Sequence, residues 1–400
     1  MEKKKLMILG ASDFQLPAIL KAKEMGLIVG VVDIDKNAVG IPYADKYFCV
    51  STIDEKGVYE ATKKFDADGI VTLCTDMPVR ALAYTCEKMG LKGIDYQAAL
   101  CSTDKGLMLN AFERERVAHP KYLIFSASDS IEKLIDDAES KIGYPMITKP
   151  TDNSGSRGIM LVKNRSQLVN AVEYSSSNGR TGNIVVEEYM RGPEFSIEII
   201  VLDGTVHVLQ VTDKLTNGSP HFVEIGHSQP TRMAEKTEKE VKDLAARAAL
   251  AVGIKNGAAH AEIIVTNEGP KLVEIGARMG GGCITTHLVP FSTGIDMTKV
   301  MIQVAIGDTP DLQRRFNKGA AIRFIEPREG TVTSIEGREK AARVPGIKVI
   351  EIQCRVGQQL KKLENGTGRI GYVISQGETV EEAIKSCERA ISYIKVNVEQ

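Results

Sequence analysis

The sequence has almost no net charge, no apolar run of membrane length and no segment that resembles a secretory leader. Lysine and arginine number 51 against 52 for aspartate and glutamate, so the formal net charge is -1 and no overall field favours nucleic acid or an anionic membrane. The longest apolar stretches are strand-sized, well short of the roughly 20 residues of a transmembrane helix. The basic start leads into a short strand-like run without the apolar core or cleavage site of a signal peptide. We therefore expect a cytoplasmic protein that does not bind nucleic acid or a membrane.

Paired cysteines are also missing. The seven cysteines are odd in number, scattered, and free of the close pairs that metal sites and redox motifs need. We predict buried, reduced thiols at positions 49, 74, 86, 101, 283, 354 and 387.

The first hundred residues have the pattern of a parallel sheet. From Leu6 to about Lys105, short apolar runs alternate with amphipathic helical stretches, as in doubly wound βαβ folds. The first turn begins with Gly10, but the full G-x-G-x-x-G of a dinucleotide loop is missing. The sequence therefore favours a tight strand-to-helix turn, in a sheet that forms a wall of another site, over a nicotinamide site.

A first cluster of candidate functional residues begins at Lys149, which stands at a strand end. The polar loop 151–158 follows, and its glycines expose backbone N–H groups beside that cation, a combination that suits phosphate oxygens. The spacing is not that of a Walker loop, and Gly/Ser loops are also common on protein surfaces.

A second cluster spans residues 187–194, where a strand stops, bends at Gly192-Pro193 and restarts. A planar base can lie against apolar residues at such a bend, and Glu194 is placed to accept bonds from ribose hydroxyls. The alternative is an exposed acidic linker.

The third cluster contains two carboxylates in a predicted hairpin. Glu262 and Glu274 both lie six residues from Glu268, the centre of the presumed turn, so pairing places them opposite each other unless a bulge shifts the register. Like charges so placed repel unless a cation lies between them, and Mg²⁺ shared with nucleotide phosphates is the natural occupant. An exposed acidic face is the alternative, although the flanking apolar runs indicate a covered sheet. Arg278 follows, with a planar fork suited to a phosphoryl group or a substrate carboxylate.

In this order and spacing the three clusters resemble the ATP-grasp superfamily, and the resemblance covers nearly the whole chain. It implies that ATP is bound with Mg²⁺, for which Mn²⁺ is a substitute, and that Glu262 and Glu274 hold the metal. The family commonly has an asparagine two residues after the second carboxylate, and Gly276 stands there instead. The nucleotide-binding residues that the resemblance and the phosphate loop imply are Lys105, Lys149, Ser154, Gly155, Ser156, Glu187, Glu188, Met190 and Glu194.

Within the superfamily, three segments resemble carboxylate–amine ligases of the bacterial L-amino-acid ligase type. They are the GARMGGG run, the DKLTNGSPHFVEIGHSQP segment and the tail AAIRFIEPREGTV with GRIGYVIS and TVEEAI. The resemblance implies an ADP-forming C–N ligase that makes an amide or peptide bond through an acyl phosphate. Its partners are a small-molecule carboxylate and amine, expected to be amino acids, and the expected assembly is a homodimer.

Four further side chains are candidates around this chemistry. Arg278 and Lys214 are expected to reach the transferring phosphoryl group, although a lone lysine is more often solvated. His227 either lines the substrate pocket and accepts the amine's proton, for which its usual pKa is suited, or is a structural histidine. Arg323 either contacts substrate or forms a structural ion pair.

The fold class expected is α/β and α+β: a Rossmann-like domain, a two-part ATP-grasp fold and a small α+β region. The predicted boundaries are 1–115, 116–190 for a lid, 191–315 for the metal-bearing subdomain, and 316–400. One alternative function is an ATP-grasp carboxylase or formyltransferase, of the purine-synthesis or biotin-carboxylase type, which would respond to bicarbonate or formate. A regulatory ATP-binding protein without turnover is the other.

Overall fold

The structure is a computed structural model that describes residues 3–126, 128–155, 157–218 and 223–399. Its architecture is mixed α/β, with one parallel sheet near the N-terminus and antiparallel sheets in the rest of the chain.

The N-terminal region is the predicted doubly wound unit. Its elements, in chain order, are β1 (Lys5–Leu9), α1 (Leu16–Glu24), β2 (Ile28–Asp33), β3 (Lys46–Cys49), α2 (Glu55–Phe65), β4 (Gly69–Val71), α3 (Val79–Met89), α4 (Tyr96–Thr103) and α5 (Lys105–Arg114). The strands are parallel in the order β3-β2-β1-β4. The buried strand β1 is apolar without alternation because helices cover both faces of such a sheet. At its end Gly10 has φ +97°, which a tight strand-to-helix turn requires.

A small α+β unit follows. Its elements are β5 (Tyr122–Phe125), α6 (Ile131–Lys141), β6 (Met146–Pro150), β7 (Met160–Val162), α7 (Arg165–Ser177) and β8 (Ile184–Glu188). The antiparallel sheet has the order β5-β8-β6-β7, and the two helices pack on it around a core of their own, which includes Leu134, Met146 and Leu168. This unit is the one predicted as a lid.

The central part of the chain is dominated by long antiparallel strands. Its elements are β9 (Glu194–Leu202), β10 (Thr205–Thr216), β11 (Glu224–Gln229), α8 (Glu235–Ala251), β12 (Gly257–Thr266), β13 (Gly269–Gly276), α9 (Val289–Thr293) and α10 (Met297–Ala305). Strands β9 and β10 are joined at Asp203-Gly204, a dipeptide typical of hairpin turns, and both residues have positive φ.

The C-terminal region continues the same sheet. Its elements are β14 (Gly319–Phe324), β15 (Gly330–Glu336), α11 (Arg338–Ala342), β16 (Ile347–Ile352), β17 (Gln359–Leu360), β18 (Gly371–Gly377), α12 (Val380–Ile391) and β19 (Lys395–Glu399). The eight-stranded sheet has the order β13-β12-β9-β10-β11-β14-β18-β16, and β17-β15-β19 form a small sheet beside it. The predicted boundary near residue 316 therefore lies between parts of one continuous sheet.

The structure bears on two expectations from composition, the state of the cysteines and the absence of a membrane-spanning helix. All seven cysteines are free, but Cys49 is exposed and Cys74 and Cys283 are only half-buried, so the prediction that all are buried was wrong. Their surroundings come from chain segments far away, which the sequence spacing does not show. Among the residues described, no helix combines the length and the apolar character needed to cross a bilayer.

Candidate active site

The two predicted metal carboxylates face each other across neighbouring strands. Strands β12 and β13 pair with Glu262 directly opposite Glu274. The turn itself is the two-residue Asn267-Glu268 loop, closed by Thr266 and Gly269, and a register shift beside Glu262 brings the two carboxylates into line. Both side chains are largely buried, with 17% and 24% of their surface exposed, so the alternative of an exposed acidic face is wrong.

A buried lysine lies at the centre of three carboxylates. The Nζ atom of Lys214 lies 2.6 Å from Glu194, 3.2 Å from Glu224 and 3.0 Å from Glu262, and only 4% of its side chain is exposed. The alternative of a solvated lysine is therefore wrong. Burial alone would lower the pKa of Lys214, but the three carboxylates outweigh it and raise the pKa well above its usual value.

The pKa values of the three carboxylates around Lys214 are shifted in different directions. Burial opposes ionisation of Glu262, yet Lys214 and His260 hold its pKa well below the usual range. Glu224 behaves similarly, because Lys214 and His227 outweigh burial and lower its pKa to about 2. The pKa of Glu194 is instead raised, since burial and the neighbouring carboxylates outweigh Lys214. Glu262 is thus ionised and ready to hold a cation at neutral pH.

Lys105 connects the second metal carboxylate to the phosphate loop. Its Nζ lies 3.3 Å from Glu274 and donates a hydrogen bond of 2.7 Å to the carbonyl of Asn153. Its backbone N–H also bonds to the carbonyl of Thr151, at 2.8 Å. Burial lowers the pKa of Lys105, but Glu274 and Asp76 more than compensate, so the pKa is raised. The ammonium group of Lys105 therefore lies between this loop and the hairpin that carries Glu274.

The phosphate loop itself follows Lys149, as predicted. Lys149 forms a buried ion pair of 2.7 Å with Glu187, with 5% of each side chain exposed. Beyond it, Ser154 is half-buried and Gly155 is exposed with φ +68°. Ser156, which was predicted to bind phosphate, lies outside the described residues.

The bend between the lid unit and the large sheet holds the predicted adenine and ribose residues. Glu187 is buried, so the exposed-linker alternative is wrong there, and its Oε1 has no hydrogen-bond partner among the described residues. Glu188 pairs with Lys271 at 2.7 Å, and Met190 is half-buried beyond the end of β8. Glu194 begins β9, so the strand stops and restarts around the bend as predicted.

Arg278 is held by a carboxylate that the sequence did not single out. Its Nε and Nη2 lie 2.8 and 3.2 Å from the two oxygens of Asp76, which follows β4 of the parallel sheet. Burial is outweighed by Asp76, which raises the pKa of Arg278 further. The planar fork therefore binds the carboxylate of Asp76 in this structure, and its contact with a phosphoryl group or a substrate carboxylate stays a prediction.

The same pair explains the glycine that replaces the family's asparagine. A Cβ atom at Gly276 would lie 3.1 Å from Asp76 Oδ1 and 3.2 Å from Arg278 Nε. Asp76 and Arg278 thus fill the space beside that position. Within the part of the chain that is described, no three histidine, cysteine or acidic side chains are grouped to hold a metal by themselves. Two carboxylates on one face fit a Mg²⁺ ion whose remaining ligands are phosphates and water.

His227 is buried next to this network and faces Lys214 across the sheet. Both of its ring nitrogens are without a hydrogen-bond partner among the described residues, and its Nε2 lies 3.8 Å from Glu224. Burial lowers the pKa of His227 to about 4, assisted by Lys214 and Arg369. The argument that its usual pKa suits proton acceptance is therefore wrong for this state.

Two arginines come from the C-terminal region. Arg323 forms an ion pair of 3.1 Å with Glu388, which is the structural alternative considered for it. Arg369, which the sequence reasoning missed, pairs with Glu224 at 2.9 Å and stacks over the ring of Phe324 at 3.9 Å.

Sequence reasoning also missed Glu198 and His260, which form a buried pair of 2.7 Å beside Glu262. A signal was present, because residues two apart in a strand share a face and His260 is two residues before Glu262. Burial opposes protonation of His260, but Glu198 raises its pKa to about 9.

A cleft lies at the carboxyl end of the parallel sheet. Thr75 and Met77 line it, while Asp76 between them reaches Arg278. Its volume is about 210 Å³, and its lining combines polar groups with exposed apolar side chains: Gly10, Ser12, Phe14, Gln15, Asp33, Ile34, Ser51 and Thr52.

Comparison with known proteins agrees with this geometry. Residues 142–287 match the ATP-grasp domain family, and residues 323–399 match the L-amino acid ligase C-terminal domain 2. The chain is 25% identical to the formate-dependent phosphoribosylglycinamide formyltransferase of Sulfurisphaera tokodaii, over 98% of this chain and 97% of that protein. It is also 25% identical to the alanine–anticapsin ligase of Bacillus subtilis, over 64% of this chain and 57% of the ligase.

A solved structure shares the whole fold. The L-amino acid ligase of Bacillus licheniformis superposes with a TM-score of 0.85 over 100% of both chains, at 23% identity. Residues 142–287 therefore form an ATP-grasp domain and residues 323–399 an L-amino acid ligase C-terminal domain, the two parts expected of an ATP-dependent, ADP-forming carboxylate–amine ligase.

Proposed function

We propose that the chain activates an amino acid's carboxylate with ATP and joins it to the amine of a second small molecule. The observation that carries this proposal is the convergence of Glu262, Glu274 and Arg278 with Lys105, which is bonded to the phosphate loop. The L-amino acid ligase C-terminal domain favours amino acids as substrates. We further propose that the protein works in the cytoplasm as a homodimer.

Charged side chains are placed to bind the nucleotide and to orient it. Lys149 and Lys105 are placed to hold the phosphates, and Glu194 to accept bonds from the ribose. Glu187 Oε1, buried and without a partner among the described residues, is available to accept a bond from the adenine amino group. These roles together orient the γ-phosphate toward the sheet face with the two metal carboxylates.

Glu262 and Glu274 would hold Mg²⁺, or Mn²⁺ as a substitute, and the bound ion would neutralise phosphate charge. In this structure their carboxylates contact Lys214 and Lys105, and these ion pairs support cation binding at both positions. Lys214 is then free to follow the γ-phosphate as the site closes.

The proposed reaction has two steps. A carboxylate oxygen of the first substrate attacks the γ-phosphorus, the bond to ADP breaks, and an acyl phosphate forms. The amine of the second substrate then attacks the acyl carbon, phosphate leaves, and the nitrogen loses a proton as the amide forms. Arg278 would orient the substrate carboxylate with its planar fork, taking it in place of Asp76.

The acyl phosphate must be kept from water, because hydrolysis would waste it. We assign closure to the lid unit, residues 116–190, which carries the phosphate loop on its own small core. We assign His227 to the pocket wall, and the cleft beside Thr75 and Met77 to the second substrate.

The experiment is a release screen. ATP and Mg²⁺ are supplied with each amino acid singly and in pairs, and ADP and phosphate are measured together. We expect release that needs an amino acid, with Glu274→Gln abolishing it. Release that depends on bicarbonate or formate would instead support a carboxylase or formyltransferase. Absence of ADP with every pair would support a regulatory protein.

A further inference from the structure

Two buried groups that the proposed mechanism does not use lie directly behind a metal carboxylate. Glu198 on β9 and His260 on β12 stand opposite each other in the sheet, with 0% and 4% of their surfaces exposed. His260 Nδ1 lies 2.7 Å from Glu198 Oε1, the distance of a strong charge-assisted hydrogen bond.

The pair reaches outward at both ends. On one side, His260 Nε2 faces Glu262 Oε1 at 3.4 Å. On the other side, the second oxygen of Glu198 accepts a hydrogen bond of 3.3 Å from the N–H of Gly280. A metal-bearing strand and the segment that follows Arg278 are thereby joined through one buried pair.

The fit around Gly280 shows how closely the chain packs on this pair. A Cβ atom there would lie 2.6 Å from His260 Nδ1 and 2.7 Å from Glu198 Oε1, too close for any real side chain. A Cβ atom on the next residue, Gly281, would meet nothing within 4 Å. Of these two glycines, only Gly280 lies this close to the Glu198–His260 pair.

We propose that Glu198 and His260 are positioning residues that fix the carboxylate of Glu262 for the metal–nucleotide complex. The same oxygen of Glu262 lies 3.0 Å from Lys214, so without the His260 contact only Lys214 would hold it in place. Groups that orient a metal ligand typically change metal affinity by about 10- to 100-fold when they are removed. This inference rests on the metal role proposed for Glu262.

The test separates metal binding from nucleotide binding. ADP affinity is measured by calorimetry in EDTA and again in saturating Mg²⁺, and the ratio of the two is the metal-dependent gain. Mn²⁺ binding to the protein–ADP complex, followed by electron paramagnetic resonance, gives an independent readout. Melting temperatures are recorded for every variant.

His260→Asn keeps a donor toward Glu198 but has nothing at the Nε2 position, whereas His260→Gln places an amide nitrogen there. We expect His260→Asn to leave the EDTA affinity within about twofold and to lose about tenfold of the metal-dependent gain. His260→Gln should restore part of that gain. A merely structural histidine would not distinguish the two amides in this way.

Gly280→Ala disturbs the pair without removing a polar group, so it tests the inference even if His260→Asn fails to fold. We expect it to lose the metal-dependent gain, while the matched control Gly281→Ala keeps it. A full gain in both Gly280→Ala and His260→Asn would overturn the inference. A parallel fall in the ADP affinity measured in EDTA, the metal-dependent gain and the melting temperature would also overturn it.

Glu262→Gln shows which proposal has failed. If that variant keeps the metal-dependent gain, the metal role of Glu262 is wrong and the positioning role falls with it. If Glu262→Gln loses the gain while His260→Asn and Gly280→Ala keep it, only the positioning role is wrong.

Discussion

Lys214 shows how one buried cation holds several carboxylates together in the candidate site. Its ammonium group lies within 3.2 Å of Glu194, Glu224 and Glu262, so these carboxylates are not left facing one another. Removing one partner of a buried ion pair typically costs about 3–5 kcal/mol, because the other charge is left uncompensated. In the proposed mechanism, nucleotide and metal replace these contacts as they bind.

His227 gives a pH prediction at the scale of one residue. Its pKa is about 4 in the folded protein against the usual 6.5, so the unfolded chain binds the proton first as the pH falls. Stability linked to His227 is thus present above pH 6.5 and is lost between pH 6.5 and 4. By the linkage relation this amounts to roughly 3 kcal/mol.

His227→Asn has no group that titrates in this range and provides the comparison. Urea unfolding in EDTA should show wild type losing stability relative to the variant as the pH falls from 6.5 to 4. Parallel curves for the two proteins would contradict the lowered pKa.

Lys149 gives a prediction for nucleotide binding. Lys149→Ala removes a buried cation that is placed at the phosphates, so ATP affinity should fall by about 100-fold, the effect of losing a charge-assisted contact of roughly 3 kcal/mol. The control is Lys141→Ala, on the same lid unit, whose side chain is 57% exposed. Calorimetric titration with ATP measures both. Unchanged affinity in Lys149→Ala would remove Lys149 from the phosphate site.

The partners of some site residues can be predicted from the sequence, and those of others cannot. The opposition of Glu262 and Glu274 was predicted from their equal distance to Glu268, and it is observed because a register shift corrects the offset that the turn alone would give. Asp76 could not be predicted as the partner of Arg278, because the two are 202 residues apart and meet only through the packing of domains. His260 was accessible through strand periodicity and was overlooked.

At the scale of elements, the hairpin that carries the metal residues depends on a small irregularity. A two-residue turn at Asn267-Glu268 alone would offset Glu262 and Glu274 by one position. The register shift beside Glu262 restores their alignment, which is a common use of β-bulges next to active sites.

The bend between the lid and the large sheet depends on Gly192. Its φ is +153°, and a Cβ atom would lie 2.0 Å from the carbonyl oxygen of Val265 on β12. Gly192→Ala should therefore separate the bend from β12, destabilise the protein by more than about 2 kcal/mol and weaken ADP binding. Denaturant unfolding and ADP titration measure the two effects.

Gly204→Ala is the matched control. Gly204 also has a positive φ, +80°, but a Cβ atom there meets nothing within 4 Å. Its cost should be only that of the backbone conformation, about 1 kcal/mol, with ADP affinity unchanged. Equal effects of the two substitutions would show that packing against Val265 is unimportant.

Helices and long strands were the most predictable elements. The helix Glu235–Ala251 is an example, because its apolar residues repeat at helical spacing along one face. The small strands β15, β17 and β19 gave little signal in the sequence. Each is short or partly exposed, and they pair across 28 to 68 positions of the chain, as Thr331 does with Gln359 and with Glu399.

At the scale of the whole molecule, one sheet joins the metal site to the C-terminal domain. Strands β14, β18 and β16 extend the sheet beyond β11, so Arg369 and the metal-bearing hairpin belong to one framework. The N-terminal sheet contributes Asp76 and the cleft from another side. The proposed substrate site therefore lies where three parts of the chain meet, which sequence patterns within each part do not specify.

The most direct test of this account follows oxygen from the carboxylate substrate. With a substrate found in the release screen and labelled with ¹⁸O in both carboxylate oxygens, attack on the γ-phosphorus leaves one labelled oxygen in the acyl phosphate bridge. Mass spectrometry of the phosphate released with the amide should then show one ¹⁸O atom per phosphate, with the second label retained in the amide. Phosphate without ¹⁸O would contradict carboxylate activation by ATP, and with it the central claim.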